Sequence, residues 1–194
     1  MLRPLCVLYN KKGKEKRADI IGPPGKHRAS DSMAVPGGGA VCAFDIDNTI
    51  TCGRENAKEL IGWCRDRGFG LGIITARPMR VPPDDWRELG FSREDLRDNF
   101  YHNPRSLTQT AAEHGQHKAA AMESLRQRHQ IADKKCVLLL DDMPYNIEAV
   151  RQGGYSAVRV GDRRRCGLTP ETVRAAQQIL QDCVGRTETI NPGS

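Results

Sequence analysis

Long apolar runs are missing from this chain, and their absence argues against a membrane-spanning helix. Stretches such as Val137–Leu140 and Leu71–Ile74 fall far short of the roughly 20 apolar residues a spanning helix needs. At the N-terminus Leu5 to Leu8 supplies no h-region of useful length and no cleavage pattern follows. No signal peptide is therefore expected, and the expected localisation is cytoplasmic. The seven cysteines (Cys6, Cys42, Cys52, Cys64, Cys136, Cys166, Cys183) contain no C-x-x-C pair and no zinc-ligand spacing. Cys42 and Cys136 sit in apolar runs, where a free thiol acts as a small hydrophobe, so reduced structural cysteines are expected. The five histidines (His27, His102, His114, His117, His129) form no metal pattern either, since His114 and His117 lack a matching pair. No internal repeat is visible.

What is present is enough chain for one domain with a sizeable core, 194 residues. The net charge of +6 is concentrated at one end. Residues 1–33 hold Arg3, Lys11, Lys12, Lys14, Lys16, Arg17, Lys26 and Arg28 against Glu15, Asp19 and Asp31, and the remainder is nearly neutral. Such an arm is either a solvated tail or a contact for nucleic acid or an acidic partner. Breaker-rich Gly22-Pro23-Pro24-Gly25 and Pro36-Gly37-Gly38-Gly39 read as linker, and Met33 between them permits an internal start. The expected organisation is an arm and linker over 1–39, a folded domain over 40–185 and a tail over 186–194.

Strands and helices then alternate. Residues 41–46 read as a buried strand, 55–67 as a helix carrying Leu60, Ile61 and Trp63, and 71–75 as a second strand. Pro78, Pro82 and Pro83 break the chain before a short helix expected to start at Asp84 or Asp85. A short strand is expected over 99–102, a helix over 117–130, the strongest strand over 136–140, a helix over 147–152 and a strand over 157–160. A closing helix over 170–184 takes Thr169 as its N-cap. This βαβ alternation predicts an α/β fold: a Rossmann-like three-layer α/β/α sandwich with a mostly parallel sheet of about five strands.

In a parallel sheet the strand ends share one rim, and here acids gather on it. Asp45 and Asp47 follow the first strand, Thr75 ends the second, and Asp141 with Asp142 ends the fourth. Clustered carboxylates repel one another unless a cation sits among them, and hard oxygen donors with open positions suit Mg²⁺. A carboxylate beside such an ion suits phosphoryl transfer.

Asp45-Ile46-Asp47-Asn48-Thr49 resembles the first motif, D-x-D-x-T, of the haloacid dehalogenase-like superfamily and its aspartate-nucleophile phosphatases. Gly72-Ile73-Ile74-Thr75-Ala76-Arg77 resembles the second motif, and Lys118, with Leu125 downstream, the third. Leu138-Leu139-Leu140-Asp141-Asp142 followed by Asn146-Ile147-Glu148-Ala149 resembles the fourth. The motifs stand in family order across residues 41 to about 161.

The resemblance implies a Mg²⁺-dependent phosphomonoester hydrolase working through an aspartyl-phosphate. Asp45 would be nucleophile and metal ligand. Asp47 would be the acid and base, with its backbone carbonyl facing the metal, a task that requires a carboxyl less acidic than that of Asp45. Thr49, Thr75, Ala76 and Lys118 would bind the phosphoryl group, and Asp142 would be the third metal ligand, with Asp141 its alternative or its support. Read without the resemblance, Asp141-Asp142 is also a helix-capping pair, Thr75 a strand-end cap and Lys118 a solvated lysine, with Lys134 and Lys135 as alternatives. Arg77 either contacts substrate or caps its loop. Asn48 stands where the family often has glycine.

Family members often carry a cap domain. Here 25 residues separate Thr49 from Thr75 and 42 separate Thr75 from Lys118, too few for a folded cap beside the elements they must form. A capless site suits a phosphate presented on a macromolecule, whether a protein or a nucleic-acid end. The other readings are a polynucleotide-end phosphatase using residues 1–33, and a non-catalytic scaffold that keeps the fold.

Overall fold

The apolar run Val41–Phe44 is the central strand, β1, and every residue in it is buried, as expected where helices cover both faces of a parallel sheet. The computed structural model describes residues 39–78, 86–161 and 167–189. The chain divides into two units, Met1–Met33 and Ala34–Ser194. The basic arm lies outside the described residues, as do Cys6, Cys166, His27 and both breaker clusters apart from Gly39.

After β1 come α1 (Arg54–Asp66), β2 (Gly70–Ile74), α2 (Arg93–Asp98), β3 (Phe100–Tyr101) and α3 (Ala111–Arg128). They are followed by β4 (Val137–Asp141), α4 (Pro144–Gln152), β5 (Ser156–Arg159) and α5 (Pro170–Thr189). The strands are all parallel, in the order β3-β2-β1-β4-β5. Helices α3 and α4 pack together, as do α1 and α5, which gives the three-layer Rossmann-like α/β arrangement expected. Strand order reverses at β1, and the crevice beyond the strand ends there is where such sheets hold ligands.

Three local differences from the sequence reading have physical causes. The start expected at Asp84 or Asp85 lies outside the described residues, and residues 86–90 are turns. The helix in this region is α2, started by a capping box in which Ser92 Oγ accepts from the Asp95 N–H and Asp95 accepts from the Ser92 N–H. Helix α3 starts six residues before the expected 117, at a second capping box between Thr110 and Glu113. The closing helix runs on to Thr189, and Thr169 caps it as expected by accepting from the Thr172 N–H at 3.4 Å.

The expectation of reduced thiols is corrected for Cys136, which is joined by a disulfide to Cys183 across a sequence separation of 47. Residue 136 enters β4 while 183 lies on the buried side of α5, and packing brings their Cα atoms to 5.6 Å, within bridging range. Cys42 and Cys64 are free and buried.

No cap domain stands among the described residues. Of the described residues between β2 and α3, Trp86, Leu89 and Phe91 are buried, and the Trp86 ring lies tilted against Phe91 at 5.6 Å and Phe100 at 5.9 Å. Among the described residues no helix is long and apolar enough to cross a membrane.

Candidate active site

Strand register builds the site. Phe44 pairs with Ile73 on one side and Leu140 on the other, so the chain leaves β1 between the ends of β2 and β4. The Asp45 N–H still donates to the Leu140 carbonyl at 2.8 Å, which fixes the Asp45 carboxylate at the rim. The next turn is tight because Asn48 adopts φ +56°, a left-handed conformation that asparagine tolerates better than most side chains.

Lys118 comes to this rim from the middle of α3 and is only 1% exposed. Its Nζ lies 2.5 Å from Asp45 Oδ1 and 2.8 Å from Asp141 Oδ2, and it also donates to the Ile74 carbonyl. An ammonium has three protons and here has three acceptors. Asp141 is equally enclosed: Asn146 Nδ2 donates to both its oxygens, at 3.0 and 3.1 Å, and the Met143 N–H donates to Oδ1 at 2.9 Å. The alternatives to Lys118 lie elsewhere. Lys134 and Lys135 are exposed at the start of β4, the opposite rim, where Lys134 Nζ donates to the Gly153 carbonyl.

Burial pushes the Asp45 carboxyl up to about 7, against the pull of Lys118, with Asp141 and Asp142 adding to the rise. Burial alone would lower the Lys118 ammonium, but the two carboxylates outweigh it and its pKa is raised. Asp142 is raised by burial and by Asp141, with its bond from Asn48 opposing. Asp47 goes the other way. Its hydrogen bonds from Arg77 hold it below the usual carboxylate range. This order is the reverse of the one an Asp47 acid requires.

The mouth of the site is formed by three loops. Arg77 Nε and Nη2 meet the two Asp47 oxygens at 3.0 and 2.6 Å, while the Arg77 N–H donates to Thr75 Oγ1 at 3.2 Å. Asn48 Nδ2 donates to Asp142 Oδ2 at 3.2 Å, linking the first and fourth strand ends. Thr75 and Thr49 are fully buried, and the Thr49 hydroxyl has no partner among the described residues. Ala76 is half-buried between Thr75 and Arg77. The expected residues thus come together on one rim as the core Asp45–Lys118–Asp141, flanked by the pairs Asp47–Arg77 and Asn48–Asp142. The sequence reading missed the Arg77 pairing and the clamp of Asn146 on Asp141; the D-D-x-x-x-N spacing was the signal for the latter.

An uncharacterized protein from Corynebacterium glutamicum superposes on this chain with TM-score 0.51 at 11% identity, covering 73% of this chain and 94% of that one. The likeness is one of fold. The core domain of a candidate phosphoglycolate phosphatase from Streptococcus pneumoniae superposes with TM-score 0.46 at 13% identity, over 72% and 95% of the two chains. Comparison with family models and with curated proteins finds no match.

The oxygen donors on this rim are of the hard type that magnesium takes. Among the described residues no three His, Cys, Asp or Glu side chains form a metal-holding group. Asp47 is turned to Arg77 and Asp141 to Lys118 and Asn146. Asp45 is held through Oδ1 and Asp142 through Oδ2, so each has a second carboxylate oxygen, a hard donor. Mg²⁺ takes one or two carboxylates and keeps several waters.

Proposed function

We propose that this protein hydrolyses phosphate monoesters with Asp45 as the nucleophile. Support comes chiefly from the buried Lys118, whose three donors are spent on Asp45, Asp141 and the Ile74 carbonyl. Burying a charge this deeply is costly unless its partners are in place, and they orient one carboxylate at a strand end facing the ligand crevice.

With Oδ1 engaged by Lys118, Asp45 Oδ2 attacks phosphorus, forming an aspartyl-phosphate as the ester P–O bond breaks. The departing alkoxide takes a proton from Asp47. In the second step Asp47 takes a proton from water, the water oxygen bonds to phosphorus, and the P–Oδ2 bond breaks to release phosphate and restore Asp45. Asp47 paired with Arg77 is in the carboxylate form that the second step needs; the first step needs it protonated, with Arg77 elsewhere. Thr49, Thr75 and the Ala76 amide would hold the phosphoryl oxygens, and Lys118 would steady the charge on Asp45. Mg²⁺ held by Asp45, Asp142 and the Asp47 carbonyl would neutralise phosphoryl oxygens during attack.

The lack of a cap among the described residues and an Asp47 side chain 54% exposed suit a phosphate presented by a large molecule. The basic surplus in residues 1–33 favours a nucleic-acid end as one such molecule. Removing those residues is then expected to weaken turnover of end-phosphorylated oligonucleotides and spare a small aryl phosphate.

The deciding experiment is turnover of sugar phosphates, nucleotides, phosphopeptides and end-phosphorylated oligonucleotides, with and without Mg²⁺, beside Asp45→Asn. Wild type should release phosphate and, when acid-quenched with labelled substrate, retain label on Asp45. Full activity in Asp45→Asn would sink the proposal.

A further inference from the structure

Arg77 holds Asp47 in a way that fits a phosphate equally well. Nε and Nη2, on one edge of the guanidinium, each meet a separate oxygen of the carboxylate, at 3.0 and 2.6 Å. That planar fork is the arrangement arginine makes with phosphate oxygens. We infer that Arg77 is an anion-binding residue for the substrate, parked on Asp47 until a phosphate group takes that carboxylate's place. The inference rests on the phosphatase reading of Asp45 and adds to it a residue that recognises the phosphate.

The backbone of Arg77 is anchored within its loop, while its side chain is held by the partly exposed Asp47. Its N–H donates to Thr75 Oγ1 at 3.2 Å and its carbonyl accepts from the Asn103 N–H at 3.0 Å. The guanidinium therefore swings from a fixed point one residue beyond the proposed phosphate contacts Thr75 and Ala76. Its present partner is open to competition: the Arg77 side chain is 35% exposed and that of Asp47 54%, so solvent screens the pair and a phosphate dianion can reach the same fork. The nearby buried cation is less available, because Lys118 already serves two carboxylates and a carbonyl. An arriving dianion thus meets Lys118 committed and Arg77 exchangeable.

Two mutually exclusive partners for one guanidinium give a signature that simple repulsion does not. The experiment is calorimetric titration of the full chain with inorganic phosphate at fixed Mg²⁺, comparing wild type, Arg77→Ala, Asp47→Ala and the double variant, none of which depends on turnover. Arg77→Ala should weaken phosphate binding by about tenfold, the loss of a charge-assisted hydrogen-bond pair. Asp47→Ala should tighten it by freeing the guanidinium, and the double variant should bind as weakly as Arg77→Ala. Should Arg77→Ala fail to fold, Arg77→Gln replaces it. Unchanged affinity on removing Arg77, absence of phosphate binding in wild type, or equal tightening by Asp47→Ala with and without Arg77 overturns the inference. If wild type nevertheless turns over phosphomonoesters through Asp45, the phosphatase reading stands without it.

Discussion

Lys118 Nζ lies 2.5 Å from Asp45 Oδ1, with the two side chains 1% and 8% exposed and 73 residues apart in sequence. The pair also includes Asp141, so replacing Lys118 by methionine leaves two enclosed carboxylates facing each other. Removing one partner of a buried ion pair costs roughly 3–5 kcal/mol. Lys118→Met is expected to lower stability by about that much at pH 7.5 in urea unfolding, and to abolish phosphate release. An unchanged unfolding midpoint would show that the lysine is not enclosed as described.

The raised Asp45 carboxyl gives stability a pH dependence of definite sign. With metal chelated, its pKa is about 7 in the folded protein against 3.8 ordinarily. Between those values the folded protein keeps a proton that the unfolded chain has released. The contribution is fully present below the unfolded value and is lost as pH rises through about 7. Relative to Asp45→Asn, which cannot titrate, chelated wild type should lose stability across this window with a slope of at most ~1.4 kcal/mol per pH unit. Adding Mg²⁺ at pH 7.5 should reverse the loss. A difference between the two proteins that is flat with pH would count against the enclosure of Asp45.

Apolar runs ending in acids were enough to place Asp45, Thr75, Asp141 and Asp142 on one rim, because a parallel sheet brings all its strand ends together. Asp47 and Arg77 stand three residues past the ends of neighbouring strands, Phe44 and Ile74, so their meeting follows from β1–β2 pairing once that is known. Side-chain direction in the two loops was not readable, and with it went the Arg77 pairing. The early start of α3 was signalled by Thr110 and Glu113, but residues 111–116 carry no apolar period to support it. Lys118 was legible only through its resemblance to the third motif; the helix pattern alone left a solvated lysine equally open, because a helix does not say which face the sheet covers.

The Cys136–Cys183 bridge closes a long loop, between β4 and the far part of α5, which spacing alone did not reveal. Cross-linking across such a separation removes unfolded-state entropy, and losing the bridge typically costs about 2–4 kcal/mol. Cys183→Ser is expected to lower the unfolding free energy by that amount. Non-reducing peptide mapping of wild type, alkylated while unfolded, should recover the two peptides joined. Recovery of both as alkylated singles would remove the bridge and the stability difference with it.

Gly115 decides how closely α3 approaches α4, and so where Lys118 sits. A Cβ added there would lie 2.7 Å from the Ala149 Cβ and 3.1 Å from the Tyr145 carbonyl oxygen. Neither neighbour is the end of a flexible side chain, so the helices must separate. Alanine in a helix interior gains about 1 kcal/mol over glycine, while overpacking costs about 1–3 kcal/mol. The overlap should win, making Gly115→Ala less stable in urea unfolding. Lys118 lies one turn on from Gly115, so a displaced α3 draws Nζ away from Asp45 and phosphate release should fall further than the small stability loss explains. A stabilised, fully active Gly115→Ala would show that helix propensity prevails and that the α3–α4 contact has room to spare.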